Sequence, residues 1–172
     1  AAVYDLRQSK CLIRYSIAQD AVEKIIEMTK AMPCAYEAFW DGKAYAQADY
    51  IKNPCKFGVS AELTAYIQAT RNSVADIVSF MTAHKHELDS VDVVAENELD
   101  CKVLLEKLSR ANQEIYFTPS LKNRIEIASC HAGKHKGLQY VLKRCNISRS
   151  ETAAFGDADN DVEMIRFVRY GI

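Results

Sequence analysis

Apolar positions along this chain follow two periods, and the elements they predict change character near residue 130. Residues 1–15 read as a hairpin. Val3 and Tyr4 form one arm, Leu12 to Tyr15 the other, and Arg7-Gln8-Ser9-Lys10 the polar turn. Ser16 can cap a helix from Ala18 to Met32, with Ala18, Val22, Ile25 and Ile26 on one face and Pro33 as its stop. Cys34 to Phe39 and Ala44 to Tyr50 flank Asp41-Gly42, a pair suited to a tight hairpin turn. Asn53-Pro54 and Gly58 mark a connection. Ser60 caps a predicted helix from Ala61 to about Thr70, and a second helix is expected from about Ser73 to His84. A strand over Val91 to Ala95 follows, then a helix over Asn97 to Asn112. A last hairpin pairs Glu114 to Thr118 with Arg124 to Ser129. Hairpins mixed with helices in this way predict an α+β domain.

Beyond residue 130 the order becomes helix, strand, helix. Leu138, Val141, Leu142 and Cys145 recur at helical spacing. Thr152-Ala153-Ala154-Phe155 is a short apolar run, and Val162 to Val168 is helical again. This alternation predicts a parallel sheet. Between strand and helix lies Gly156-Asp157-Ala158-Asp159-Asn160-Asp161. In an open α/β sheet, ligands bind outside the carboxyl ends of the strands, where this loop falls. Clustered carboxylates repel one another, and hard oxygen donors of this kind suit Mg²⁺. A solvated helix start is the plainer alternative, because Asp is favoured at caps and in first turns. A calcium loop of the EF-hand kind does not fit. Val162 stands where that loop needs Gly, and Val168 where it needs a bidentate Glu. Upstream, Lys136 sits near the start of the predicted helix, as a point charge that could meet a phosphate.

Lys136-Gly137 followed by Gly156-Asp157-Ala158-Asp159-Asn160-Asp161 resembles the last two signature motifs of the haloacid dehalogenase superfamily, in its Cof-type phosphatase branch. Ala1 to Asp5 and Ile125-Glu126-Ile127 resemble looser parts of the same pattern. The resemblance implies an α/β fold, a partial Rossmann-like parallel-sheet core with a large inserted α+β cap. Residues 1–17 would then be the hairpin leading into the cap, 18–129 the cap, and 130–172 a core fragment. It implies phosphoryl transfer to an aspartate, an aspartyl-phosphate intermediate and its hydrolysis, with Mg²⁺ as cofactor. Asp157 would be the direct metal ligand, and Asp161 would bind the metal directly or through water. Lys136 would offset charge between nucleophile and phosphate, Asn160 would hydrogen-bond in the loop or to the phosphate, and Asp159 would be solvated. The family's first two motifs, an Asp-x-Asp near the N-terminus at the end of the first core strand and a Ser or Thr after the next strand, have no match here; Asp5 is followed two residues on by Arg7. The chain is therefore expected to be cut at both ends and inactive alone, with possible self-association through its unpaired sheet edge. The alternative is a non-catalytic binding or assembly module derived from a phosphatase cap.

The expected substrates are small phosphorylated metabolites: a sugar phosphate, nucleotide or cofactor phosphate. Tyr36, Phe39, Trp40 and Tyr45 are candidate substrate contacts, although packing is the commoner role for such residues. A net charge of −1 gives no reason to expect nucleic acid or anionic membrane as a partner. No apolar run has membrane-spanning length, so a cytoplasmic protein is expected. Six cysteines form no Cys-x-x-Cys pair and read as reduced, mostly buried thiols. Cys130, His131 and His135, or His84 and His86, lack the full ligand set of a zinc site.

Overall fold

The computed structural model describes residues 2–111 and 115–172, which fall into two compact units. One joins residues 1–15 to residues 130–172; the other runs from Ser16 to Ser129. The expected helix end at Asn112 and strand start at Glu114 lie outside the described residues.

The first unit opens with the antiparallel pair β1 (Ala2–Asp5) and β2 (Lys10–Arg14). The Asp5 carboxylate accepts the backbone N–H groups of Arg7 and Gln8, which folds the turn between them. After residue 130 come α6 (Lys134–Cys145), β9 (Ala153–Ala154), α7 (Val162–Phe167) and β10 (Tyr170–Gly171). Strands β9 and β10 pair in parallel, with Tyr170 opposite Ala153. On α6 only Leu142 of the expected apolar face is buried. Val141 is 36% exposed and Cys145 is exposed.

The second unit is built on a six-stranded sheet in the order β5-β4-β3-β6-β8-β7. Its strands are β3 (Cys34–Trp40), β4 (Lys43–Gln47), β5 (Arg71–Val74), β6 (Ser90–Ala95), β7 (Ile115–Leu121) and β8 (Arg124–Ser129). Only β4 and β5 pair in parallel. Helices α1 (Gln19–Thr29), α4 (Ile77–Ala83) and α5 (Glu98–Ala111) cover one face. The larger core lies beneath them, with Val22, Ile25, Met81, Leu88, Leu104, Leu108, Ile125 and Ile127 fully buried. Helices α2 (Ala48–Lys52) and α3 (Ala61–Thr70) form a smaller cluster on the other face with Tyr50, Ile67 and Val94.

Several expectations need correction. Helix α1 starts at Gln19 behind Ala18, with no side-chain cap, rather than behind Ser16. Ile17 explains this: its N–H is held on Leu88 O at 2.8 Å and its side chain is buried, so the chain stays extended there. Residues 48–50 are helical, not strand, since the ladder of β4 ends at Gln47. Residues 71–74 form β5, so the helix expected from about Ser73 begins only at Ile77. Asp76 caps α4 by accepting the N–H groups of Val78 and Ser79. The cysteines are free, but only Cys101 is buried; Cys55, Cys130 and Cys145 are exposed.

A polar network lies on the second face of the sheet. Glu37, fully buried, accepts from Tyr50 Oη at 2.6 Å, Arg71 Nε at 2.7 Å and Arg124 Nη2 at 3.0 Å. Asp92 lies 3.5 Å from Arg124 Nη1. Burial pushes its carboxyl up to about 8. Arg124 pulls the other way, and the nearby Glu126 and Glu37 carboxylates add to the rise.

Candidate functional site

Strand β9 is short, but its ladder fixes where the acidic loop leaves. Ile172 N donates to Ala154 O at 2.9 Å and Gly156 N to Ile172 O at 3.0 Å. The loop then turns at Gly156. A Cβ there would overlap Asp161 Cβ and come within 2.8 Å of Asp161 Cγ, so only glycine lets the loop close onto Asp161. The Asp161 N–H donates to Ala158 O at 2.9 Å, and the segment runs straight into α7.

Asp161 is the centre of the site. It is 4% exposed, and both carboxylate oxygens are engaged. One accepts from Lys134 Nζ; the other lies 3.4 Å from the Asp157 N–H. The Lys134 ammonium holds the Asp161 carboxyl below the usual carboxylate range, against a smaller opposing effect of burial. Lys134 Nζ also donates to Asn160 Oδ1 at 3.3 Å. Asp157 is exposed and, with Phe155, Gly156 and Ile172, lines an open depression of about 440 Å³.

The structure brings together Asp157, Asn160 and Asp161, and Lys134 of α6 meets Asn160 and Asp161; Lys136 stands two residues further along the same first turn. Gly133, at φ +144°, sets the turn that makes Lys134 the first residue of α6. The side chain of Asp159 lies outside the described residues.

The donor set suits a hard cation. Two carboxylates, one exposed and one held by a lysine and a backbone N–H, match an ion such as Mg²⁺ that keeps most of its waters. Asp157 would hold such an ion and Asp161 would orient the loop. Among the described residues there is no group of three or more His, Cys, Asp or Glu placed to hold a metal ion.

The four candidate aromatic contacts have other partners. Tyr36 Oη lies 2.5 Å from Thr29 Oγ1 in the core, and Phe39 lies under the Arg71 guanidinium. Trp40 and Tyr45 pack with Phe80 and His84, with Trp40 and His84 ring centroids 4.1 Å apart.

This fold and this loop are those of a haloacid dehalogenase-like hydrolase, and the sequence model of that family matches residues 1–172. The chain belongs to that family and to its Cof-type branch. It is 22% identical over 177 residues to the Mycoplasma genitalium protein named "Putative phosphatase MG265", a match covering 100% of this chain and 63% of that protein. Among solved structures, a haloacid dehalogenase-like hydrolase from Bacteroides thetaiotaomicron superposes with a TM-score of 0.78 at 15% identity, over 99% of this chain and 60% of that one. One from B. subtilis superposes with a TM-score of 0.76 at 16% identity, over 98% and 64%. The chain thus spans about three fifths of the proteins it matches. No helix among the described residues is long and apolar enough to cross a membrane.

Proposed function

We propose that the protein carrying this chain is a Mg²⁺-dependent phosphatase of small phosphorylated metabolites, working through an aspartyl-phosphate. The observation that carries the reading is the joining of Lys134 to Asp161 and Asn160 at the end of a parallel strand. A buried carboxylate with a fixed ammonium beside it is an arrangement for neutralising charge, which is most of what phosphoryl transfer asks of a protein. When bound, Mg²⁺ supplies charge stabilisation for a phosphoryl oxygen and the attacking carboxylate. The chain's own residues set the rest. Asp161 fixes the loop through Asp157 N–H, Asp157 presents an exposed carboxylate, and Asn160 and Lys134 offer donors to a phosphate. The Lys134 ammonium, 49% exposed along its side chain, is open enough to meet one.

In this reading residues 16–129 act as the cap that supplies substrate contacts and excludes water. The exposed Phe155, Tyr170 and Ile172 make self-association of this chain the expected behaviour. The reading is tested by hydrolysis of p-nitrophenyl phosphate, with and without EDTA, by the protein of which these residues are part. Turnover abolished by EDTA and restored by Mg²⁺ supports it; turnover indifferent to metal refutes it.

A further inference from the structure

The second unit carries a half-open pocket of about 530 Å³ that the proposed chemistry does not use. It lies where α1 ends, β3 begins and β4 runs into α2, beside the first turn of α4. That is the end of the sheet carrying Cys34 and Ala95, which pair with each other. Residues 16 and 129, where the chain enters and leaves this unit, belong to the other end. Ile17 is bonded to Leu88 just before β6, and Ser129 is the last residue of β8.

The volume of the pocket falls within the range of small-molecule sites. Ile26, Met32, Phe57, Ile77 and Val78 give apolar walls. The hydroxyls on the lining are already committed. Thr29 Oγ1 donates to Ile25 O at 2.6 Å and meets Tyr36 Oη, and Tyr50 Oη donates to Glu37. A ligand would therefore find apolar and aromatic contact inside. Charged partners stand only at exposed positions, and these balance: Lys30 and Lys56 against Glu27 and Asp49. Such a site selects an apolar body and discriminates little on net charge, the opposite of what a phosphate ester requires.

We propose that this pocket binds a small, uncharged aromatic or aliphatic molecule. The test uses the neutral dye N-phenyl-1-naphthylamine with the full chain. Saturable, one-to-one fluorescence enhancement is expected. It should weaken at least roughly tenfold in Val78→Trp, which fills the space, and be unchanged in Phe155→Ser, which removes an exposed apolar group of the other unit. Methyl NMR of the unaltered chain gives an independent reading, with dye-induced shifts expected at Ile26, Ile77 and Val78. Absence of saturable binding, binding lost in Phe155→Ser, or shifts that bypass those three methyls would each overturn the proposal.

Discussion

The ammonium of Lys134 ends on the buried carboxylate of Asp161, 27 residues further along the chain. This contact ties the first turn of α6 to the loop after β9. It makes Lys134 a lysine of the site. Lys134→Ala is expected to raise the Asp161 carboxyl toward the ordinary carboxylate range, because its main depressing partner is gone. Lys136→Ala should leave it unmoved. Carboxyl-carbon NMR titration of both variants reads this directly, and equal shifts in the two would remove Lys134 from its role.

Gly156 is the hinge on which the loop closes. In Gly156→Ala the added methyl must displace Asp161, whose Cγ would lie at 2.8 Å. Overpacking of this kind costs about 1–3 kcal/mol. Chemical denaturation should show that loss, and the Asp157 amide resonance should shift as its contact with Asp161 breaks. A variant as stable as the parent, with that resonance in place, would mean the loop does not need glycine.

Much of this was legible in the sequence, for physical reasons that differ by element. The Asp41-Gly42 hairpin is local: both residues take positive φ, of 51° and 73°, as the dipeptide predicts. Helix α3 is equally local, because Ser60 accepts from the Leu63 N–H as expected of a cap. Strand β5 was not legible. Its residues Arg71–Val74 become a strand only by pairing with β4, a partner contributed from elsewhere in the chain. The pair of β9 with β10 was missed for the same reason. In the site, the acidic loop could be read from Gly156 and its carboxylates. The contact of Lys134 with Asp161 could not, because it depends on where Gly133 begins α6.

Asp92 predicts how the second unit responds to pH. Its carboxyl, raised to about 8 by burial, holds a proton in the fold that the unfolded chain releases near 4. The folded state therefore binds more protons between those values, and stability falls as pH rises through that window. Its contribution is complete below about 4 and spent above about 8. Denaturation midpoints from pH 5 to 8 should decline, and Asp92→Asn should flatten that part of the decline. An Asp92→Asn profile parallel to the parent's would show that Asp92 is ionised throughout.

Glu37 balances two arginines inside the same sheet face. In Glu37→Leu, Arg71 and Arg124 keep their charges in a buried setting without the carboxylate. Removing one partner of a buried pair typically costs about 3–5 kcal/mol. The triple variant Glu37→Leu, Arg71→Leu, Arg124→Met should recover much of that loss, since no unpaired arginine remains. Urea unfolding of the two variants compares them. No recovery in the triple variant would mean that the packing of Glu37, rather than its charge, holds this face together.

The central claim is that Asp157, Asp161 and Lys134 form a phosphatase site. Hydrolysis of p-nitrophenyl phosphate by the protein carrying this chain, compared across single alanine variants in saturating Mg²⁺, measures it most directly. Asp157→Ala is expected to lose several orders of magnitude in kcat, and Lys134→Ala and Lys136→Ala to be severe as well, as removal of charge-neutralising groups predicts, while Asp159→Ala loses little. Activity that survives in Asp157→Ala, or that falls equally in Asp157→Ala and Asp159→Ala, would contradict the account.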